Sequence, residues 1–67
     1  MIVQSVLFEK SKWSIFSAEK WLDRHKYIHP KVDITDNFLR FRQVNPNPKN
    51  RYRNINIGNG IELIVMF

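Results

Sequence analysis

Four arginines and one lysine lie close together in the middle of the chain, around a short stretch rich in Asn and Pro. They are Arg40, Arg42, Lys49, Arg51 and Arg53, within the segment RFRQVNPNPKNRYR. A planar guanidinium group matches the oxygens of a phosphate with two parallel hydrogen bonds. The spacing predicts an anion-binding patch. The same residues also fit rim charges with local ion pairs, which stabilise a fold by only about 0–1 kcal/mol each.

His25 and His29 have the i, i+4 spacing with which two side chains of one helix bind a metal ion. Pro30 follows His29 and disfavours a helix through both, and no Glu follows His25 as in the H-E-x-x-H pattern. We therefore expect no metal site and no cofactor. The chain also has no glycine-rich phosphate loop, nucleophile elbow or obvious pair of carboxylates, so we expect no enzyme activity.

Two aromatic residues near the arginines are candidates for stacking on nucleic-acid bases. Phe38 and Tyr52 alternate with residues predicted to be apolar and buried, so their rings are expected to be partly exposed. Trp13, Trp21 and Phe41 are instead expected in the core, because a chain this short needs its large side chains there.

Charge and composition limit the class of protein. Eleven Lys and Arg against six Asp and Glu give a net charge of +5, which favours anionic partners, nucleic acid first. With 43% hydrophobic residues, we expect one folded domain over residues 1–67. No apolar run is long enough to span a membrane, and the first ten residues do not fit a secretory signal. This predicts an intracellular or particle-enclosed protein.

The first third of the chain predicts a strand and a helix. Residues 2–8, IVQSVLF, are rich in β-branched side chains and lack helical spacing, which indicates a strand. In the following segment, Ala18, Trp21, Leu22 and His25 share one face of a helix. Ser14 is placed to be its N-cap.

Alternation returns in KVDITDNFLRFRQV, where Asp36 and Asn37 both tolerate positive φ and predict a two-residue hairpin turn. The predicted pairs are Ile34 with Leu39 and Val32 with Phe41 on one face, and Asp33 with Arg40 and Lys31 with Arg42 on the other. The last pair places like charges opposite each other, which is destabilising. A bound anion would relieve that repulsion.

The final segment, YRNINIGNGIELIVMF, predicts a second hairpin. A two-residue Asn59-Gly60 turn would split its apolar residues between both faces of the sheet. A three-residue loop at residues 58–60 keeps them together by pairing Ile57 with Ile61 and Ile55 with Leu63. The predicted fold is α+β: one helix on a small antiparallel sheet of about five strands, in the order β-α-β-β-β-β.

Several short motifs occur in a fixed order along most of the chain. They are W-S at 13–14, A-x-x-W-L at 18–22, K-V-D-x-T at 31–35, R-F-R-Q at 40–43 and G-x-G-I at 58–61. Their order resembles a small domain of tailed-phage proteins, often found beside head-maturation proteins, and of short proteins of giant DNA viruses. The resemblance implies a viral protein with a non-enzymatic accessory or virion role, in the host cytoplasm or in the virion.

Two functions follow. The first is electrostatic, sequence-nonspecific binding of nucleic acid, DNA more than RNA, by the four arginines and Lys49. The second is a structural or protein-interaction module. In that alternative, Ile64, Met66 and Phe67 contact a second copy, a capsid or another viral or host protein, and edge strands pair between copies.

Overall fold

One helix and five strands make up most of the chain in the computed structural model, which describes all residues 1–67. The elements are β1 Ile2–Glu9, α1 Ile15–Arg24, β2 Asp33–Ile34, β3 Phe38–Arg42, β4 Tyr52–Gly58 and β5 Ile61–Met66. The predicted class and element order are therefore confirmed. None of the helical residues form a segment with the length and hydropathy that crossing a bilayer requires.

The strands form a single antiparallel sheet in the order β2-β3-β1-β5-β4. The β-branched and apolar first strand, β1, lies at the centre between β3 and β5, where such residues pack well. β3 and β4 are therefore separated by two strands. The linker at residues 43–51 passes the ends of β1 and β5 to connect them, and we call this end of the sheet the linker end.

The helix starts at the predicted N-cap. The Ser14 hydroxyl accepts a hydrogen bond from the N–H of Ser17 at 3.1 Å, and the Ser17 hydroxyl accepts one from the N–H of Ser14 at 3.0 Å. This reciprocal capping box satisfies two donors that the start of a helix leaves unpaired. Ala18 and Leu22 are fully buried in the core, and His25 is the C-cap.

Phe8 of the central strand lies in the middle of the core. Its ring meets those of Trp13, Trp21 and Phe41 edge-on, with centroid distances of 5.1, 5.6 and 5.6 Å. Such pairs stabilise a core beyond the area they bury. The indole N–H of Trp13 also donates to the carbonyl oxygen of Asn59 at 2.8 Å, which ties the start of the helix to the β4–β5 turn.

The β2–β3 hairpin has the predicted register. Ile34 pairs with Leu39 and Asp33 pairs with Arg40. The ladder ends there, so the predicted pairs at positions 32 with 41 and 31 with 42 do not form. Beyond this point the side-chain amide of Gln43 forms two hydrogen bonds with the backbone of Ile28, as a paired strand residue would. It accepts from the N–H of Ile28 at 2.8 Å and donates to the Ile28 carbonyl oxygen at 2.7 Å.

The turn of this hairpin differs from the predicted one. Neither Asp36 nor Asn37 has positive φ. Instead, the Thr35 hydroxyl accepts a hydrogen bond from the N–H of Phe38 at 3.0 Å, and the N–H of Thr35 donates to the Phe38 carbonyl oxygen at 2.9 Å. The threonine side chain thus closes the turn without left-handed backbone.

The β4–β5 hairpin corrects the predicted loop. Gly58, not Ile57, pairs with Ile61, so the turn has two residues instead of three. Ile55 still pairs with Leu63 as predicted, because the register shifts between residues 56 and 58. The extra residue, Ile57, is a β-bulge. The bulge lets the two-residue Asn59-Gly60 turn keep Ile55 opposite Leu63, while Ile57 itself stays exposed.

A second bulge, at Gln4, joins the centre of the sheet to the linker. Val3 pairs with Val65 and Ser5 with Ile64, which leaves Gln4 as an extra residue on β1. Its carbonyl oxygen accepts from the N–H of Gln43 at 2.7 Å, and its side-chain amide donates to the carbonyl oxygen of Val44 at 2.9 Å. Gln4 is therefore buried and fully bonded, as a polar group in the interior must be.

Candidate nucleic-acid interface

The two arginine pairs lie on opposite faces of the sheet. On β3, Leu39 and Phe41 are buried in the core under the helix, so alternation directs Arg40 and Arg42 to the face without a helix, the open face. On β4, Arg53 pairs with Val65, which shares the helix side of the sheet with Val3.

The pairs are also distant across the sheet. Three inter-strand steps separate β3 from β4 in the order β3-β1-β5-β4, which amounts to about 14 Å. The two Arg-aromatic-Arg triplets, adjacent in sequence, therefore do not form one patch on one face.

They do share one end of the sheet. Because β3 ends and β4 begins at the linker end, Arg42, Arg51 and Arg53 lie at the same end, and Lys49 lies on the linker between them. All four are exposed. No carboxylate lies within 4 Å of any of them, since the ion pairs in the structure are Lys12 with Glu9 and His29 with Glu19 and Asp23.

Five of the six acids lie away from this end. Glu9 and Asp36 lie at the opposite end of β1 and of the β2–β3 hairpin, Glu19 and Asp23 lie on the helix, and Glu62 is the second residue of β5. The sixth acid, Asp33, begins β2 and lines a cleft with Arg42, but it forms no ion pair within 4 Å. The chain has seven other Lys and Arg residues, and their positive charge is nearly balanced by the negative charge of the six acids. Most of the net charge of +5 is therefore found at the linker end.

Arg40 has a different role from the other arginines. It is partly buried, and its guanidinium donates to the Ser5 hydroxyl at 3.3 Å and to Oε1 of Gln4 at 3.5 Å. The register places it opposite Asp33, yet the two side chains form no ion pair within 4 Å. Its polar partners belong to the central strand, so Arg40 supports the sheet and is not a free cation as predicted.

Arg51 and Arg53 are held by the last residue of the chain. The N–H of Arg51 donates to the carbonyl oxygen of Phe67 and the N–H of Phe67 donates to that of Arg51, both at 3.0 Å. The Arg53 guanidinium carbon lies 5.5 Å from the centre of the Phe67 ring, a cation–π contact. These contacts fix the start of β4 and orient one guanidinium while leaving it exposed.

Lys31 joins Arg42 at the edge of the sheet. Both line an open cleft of about 320 Å³ between the residues that follow the helix and the end of β3, together with Asp33 and Asn45. The cleft opens where the β2–β3 ladder stops, and the bonded Gln43 amide forms its wall. Lys31 was not among the predicted site residues, although its predicted position opposite Arg42 was the signal for it.

The two candidate stacking residues have different surroundings. Tyr52 is 40% exposed, and its hydroxyl accepts from the N–H of Asn47 at 2.6 Å and donates to the Asn47 carbonyl oxygen at 2.7 Å. These bonds fold the linker against β4. Phe38 is partly buried beside the β2–β3 turn. Base stacking by either ring stays a prediction.

The two histidines have separate partners. His25 stacks on Trp21 with centroids 3.8 Å apart, and its Nδ1 lies 2.8 Å from the Trp21 carbonyl oxygen. Nε2 of His29 lies 2.7 Å from the Asp23 carboxylate, which raises the pKa of His29 above its usual value. Glu19 adds a weaker attraction.

The three residues predicted for a protein interface are not equally accessible. Met66 is buried, because it lies between Ile2 of β1 and Tyr52 of β4 in the ladder. Ile64 is partly buried, and Phe67 is 49% exposed. Of the three, Phe67 alone presents a large apolar surface, so the prediction is wrong in treating Met66 as a contact residue.

No family model matches the sequence, and neither the curated proteins nor the solved structures contain a match to it. The resemblance to viral proteins therefore stays a prediction based on the motifs.

Proposed function

We propose that this protein binds nucleic acid electrostatically and without sequence specificity, as a small basic accessory or virion protein. The observation that carries the proposal is the linker end, where four exposed basic side chains gather with no carboxylate within 4 Å. Such a group attracts polyanions, because none of its members is paired with a carboxylate. The viral setting rests on the motif resemblance.

The proposed contacts are to phosphates and not to base edges. Arg42, Arg51 and Arg53 offer guanidinium forks, and Lys49 offers a point charge on the linker. Phosphate contacts position a protein on nucleic acid but carry no sequence information. The linker end consists of strand ends and the linker, and α1 does not project from it as a helix that would enter a DNA groove, which favours binding without base readout.

The strength of binding follows from the number of contacts. Four phosphate contacts give a slope of log K against log salt of about −3.6. A fourfold increase in salt then weakens binding about 150-fold. A single chain is therefore expected to bind weakly at physiological salt, and to act where its local concentration is high.

The test is a fluorescence anisotropy titration of labelled single- and double-stranded DNA and RNA at several salt concentrations. The variant Arg42→Gln with Arg51→Gln removes two contacts, so the salt slope should fall by about 1.8 units and affinity at low salt by at least about tenfold. The matched control, Lys20→Gln with Arg24→Gln, removes the same charge from the helix. No binding at low salt, or equal losses in both variants, would overturn the proposal.

A second candidate function has one observation in its favour. Phe67 is 49% exposed at the linker end, where a partner protein would cover it. In sedimentation, this alternative expects a loss of association in Phe67→Asp that is independent of nucleic acid.

A further inference from the structure

The outer edge of β4 is a free strand edge. β4 is the last strand of the sheet, it has seven residues, and only Ile55 among them is partly buried. The opposite edge strand, β2, has two residues, so it offers few backbone groups to which another strand could bind. A long edge strand presents unpaired N–H and C=O groups that another strand can bind.

The ladder determines which groups are free. Arg51 exchanges two backbone hydrogen bonds with Phe67. Because inward and outward residues alternate along an antiparallel strand, Arg53 and Ile55 also direct their backbone groups toward β5. Tyr52, Asn54 and Asn56 therefore direct their N–H and C=O groups outward, where the sheet ends.

We propose that two copies of this chain pair antiparallel along β4, with Asn54 of each copy facing Asn54 of the other across a two-fold axis. The pairing joins the two sheets into one. It also brings Arg51 and Arg53 of both copies into a single row on the helix side. The role of this row in binding nucleic acid rests on the proposed function. The strand pairing itself does not depend on that function.

The sequence of β4 is complementary to itself in this register. Tyr52 lies opposite Asn56 of the second copy, and about six backbone hydrogen bonds form. On the helix side, Arg53 lies opposite Ile55 of the second copy. If the strands slide two residues toward their starts, Arg53 faces Arg53, and like charges in that position repel. If they slide the other way, about two hydrogen bonds are lost.

The two-fold register assembles a charge row that a single chain does not have. The two Arg53 side chains become diagonal neighbours, about 7–8 Å apart. The Arg51 side chains lie further out, so the four guanidiniums extend over about 20 Å along the strands. A row of this length suits a linear polyanion.

The same geometry makes the pairing weak for the free protein. One added strand pair buries far less than the roughly 1,200 Å² of a stable interface, and the arginines repel each other. A ligand that binds the pair more tightly than the single chain shifts the equilibrium toward the pair. Nucleic acid is therefore expected to promote pairing.

Charge exchange at residue 54 tests the register. We would measure mass by sedimentation equilibrium, from micromolar to millimolar protein, for wild type, Asn54→Lys, Asn54→Asp and an equimolar mixture of the two variants. At about 0.15 M salt the Debye length is about 8 Å, so charges in direct contact still interact. The mixture should associate about tenfold more tightly than either variant alone.

The controls are Asn45→Lys and Asn45→Asp, which place the same charges on the exposed linker and should not respond to mixing. A mass of 8.1 kDa for wild type and for the mixture at every concentration would overturn the proposal. Association that mixing leaves unchanged would also overturn it.

Anisotropy titrations on the same samples separate the two proposals. Nucleic-acid binding without strand pairing leaves the proposed function standing and removes this inference. Strand pairing without nucleic-acid binding would overturn the proposed function and the binding role of the arginine row. The pairing of the two copies would then stand alone.

Discussion

The Nε of Arg40 donates a hydrogen bond to the hydroxyl of Ser5 across 3.3 Å. This contact joins β3 to the central strand on the open face, and Ser5 is fully buried. It assigns one of the four arginines to the fold and leaves three, with Lys49, at the linker end.

Replacing Arg40 should therefore affect stability and not binding. Arg40→Ala removes two long, partly buried hydrogen bonds, so the free energy of unfolding should fall by about 1 kcal/mol. Urea denaturation measures this loss. Nucleic-acid affinity should change far less than in Arg42→Ala, which is the matched comparison on the same strand. A larger loss of affinity in Arg40→Ala than in Arg42→Ala would contradict the assignment.

The two glycines of the β4–β5 hairpin should respond differently to alanine. Both have positive φ, 89° at Gly58 and 76° at Gly60, so both substitutions cost about 1 kcal/mol of backbone strain. A Cβ at Gly60 would also lie 3.0 Å from the Glu9 carboxylate and from Cδ of Lys12, whereas a Cβ at Gly58 meets nothing within 4 Å.

Gly60→Ala should therefore lower the thermal midpoint more than Gly58→Ala. The size of the difference depends on how far the flexible ends of Glu9 and Lys12 yield. Scanning calorimetry of both variants measures it, and equal midpoints would contradict the close approach to Glu9.

The contact between His29 and Asp23 should make stability depend on pH. The hydrogen bond to Asp23 raises the pKa of His29 above 6.5 in the folded chain. A raised folded pKa means that the stabilisation is fully present below the unfolded pKa and is lost as pH rises through the folded pKa. The free energy of unfolding should therefore decrease as the pH rises from just below 6.5, the unfolded pKa, to above the folded pKa of His29.

An NMR titration of the His29 ring gives the pKa directly. Asp23→Asn should lower this pKa and flatten the pH dependence of the urea midpoint, while Asp36→Asn, at the far turn, should leave both unchanged. An unshifted His29 in the wild type would contradict the contact.

Phe8 should be the side chain whose removal costs most. It is fully buried and meets three aromatic rings edge-on, so Phe8→Ala should cost about 3–5 kcal/mol. A domain of this size has a total stability of only about 3–10 kcal/mol, so loss of the near-UV circular dichroism signal is expected for much of the population. Phe16 is 67% exposed, and Phe16→Ala should change stability by less than about 0.5 kcal/mol.

Local alternation was sufficient to predict some parts of the fold. The pairing of Ile34 with Leu39 follows from a two-residue turn, because a slip of one residue would expose the apolar face. The Ser14 cap follows from a hydroxyl directly before the apolar periodicity. Both signals act over a few residues.

The features that the sequence did not predict depend on contacts between distant segments. The bulge at Ile57 resolves a conflict that simple pairing rules cannot, since it changes the register within the strand. The position of Arg40 beside Ser5 depends on β3 lying next to β1, which is a property of the whole sheet. The same strand order places the two arginine pairs about 14 Å apart across the sheet.

The concentration of positive charge at the linker end also makes the charge uneven along the strands, which amounts to an electric dipole. A polyanion exerts a torque on such a dipole before contact, so approach with the 43–51 segment leading is favoured during diffusion. The order of encounter would then be the linker end first and the β2–β3 and β4–β5 turns last, with an association rate that falls as added salt shortens the range of that torque.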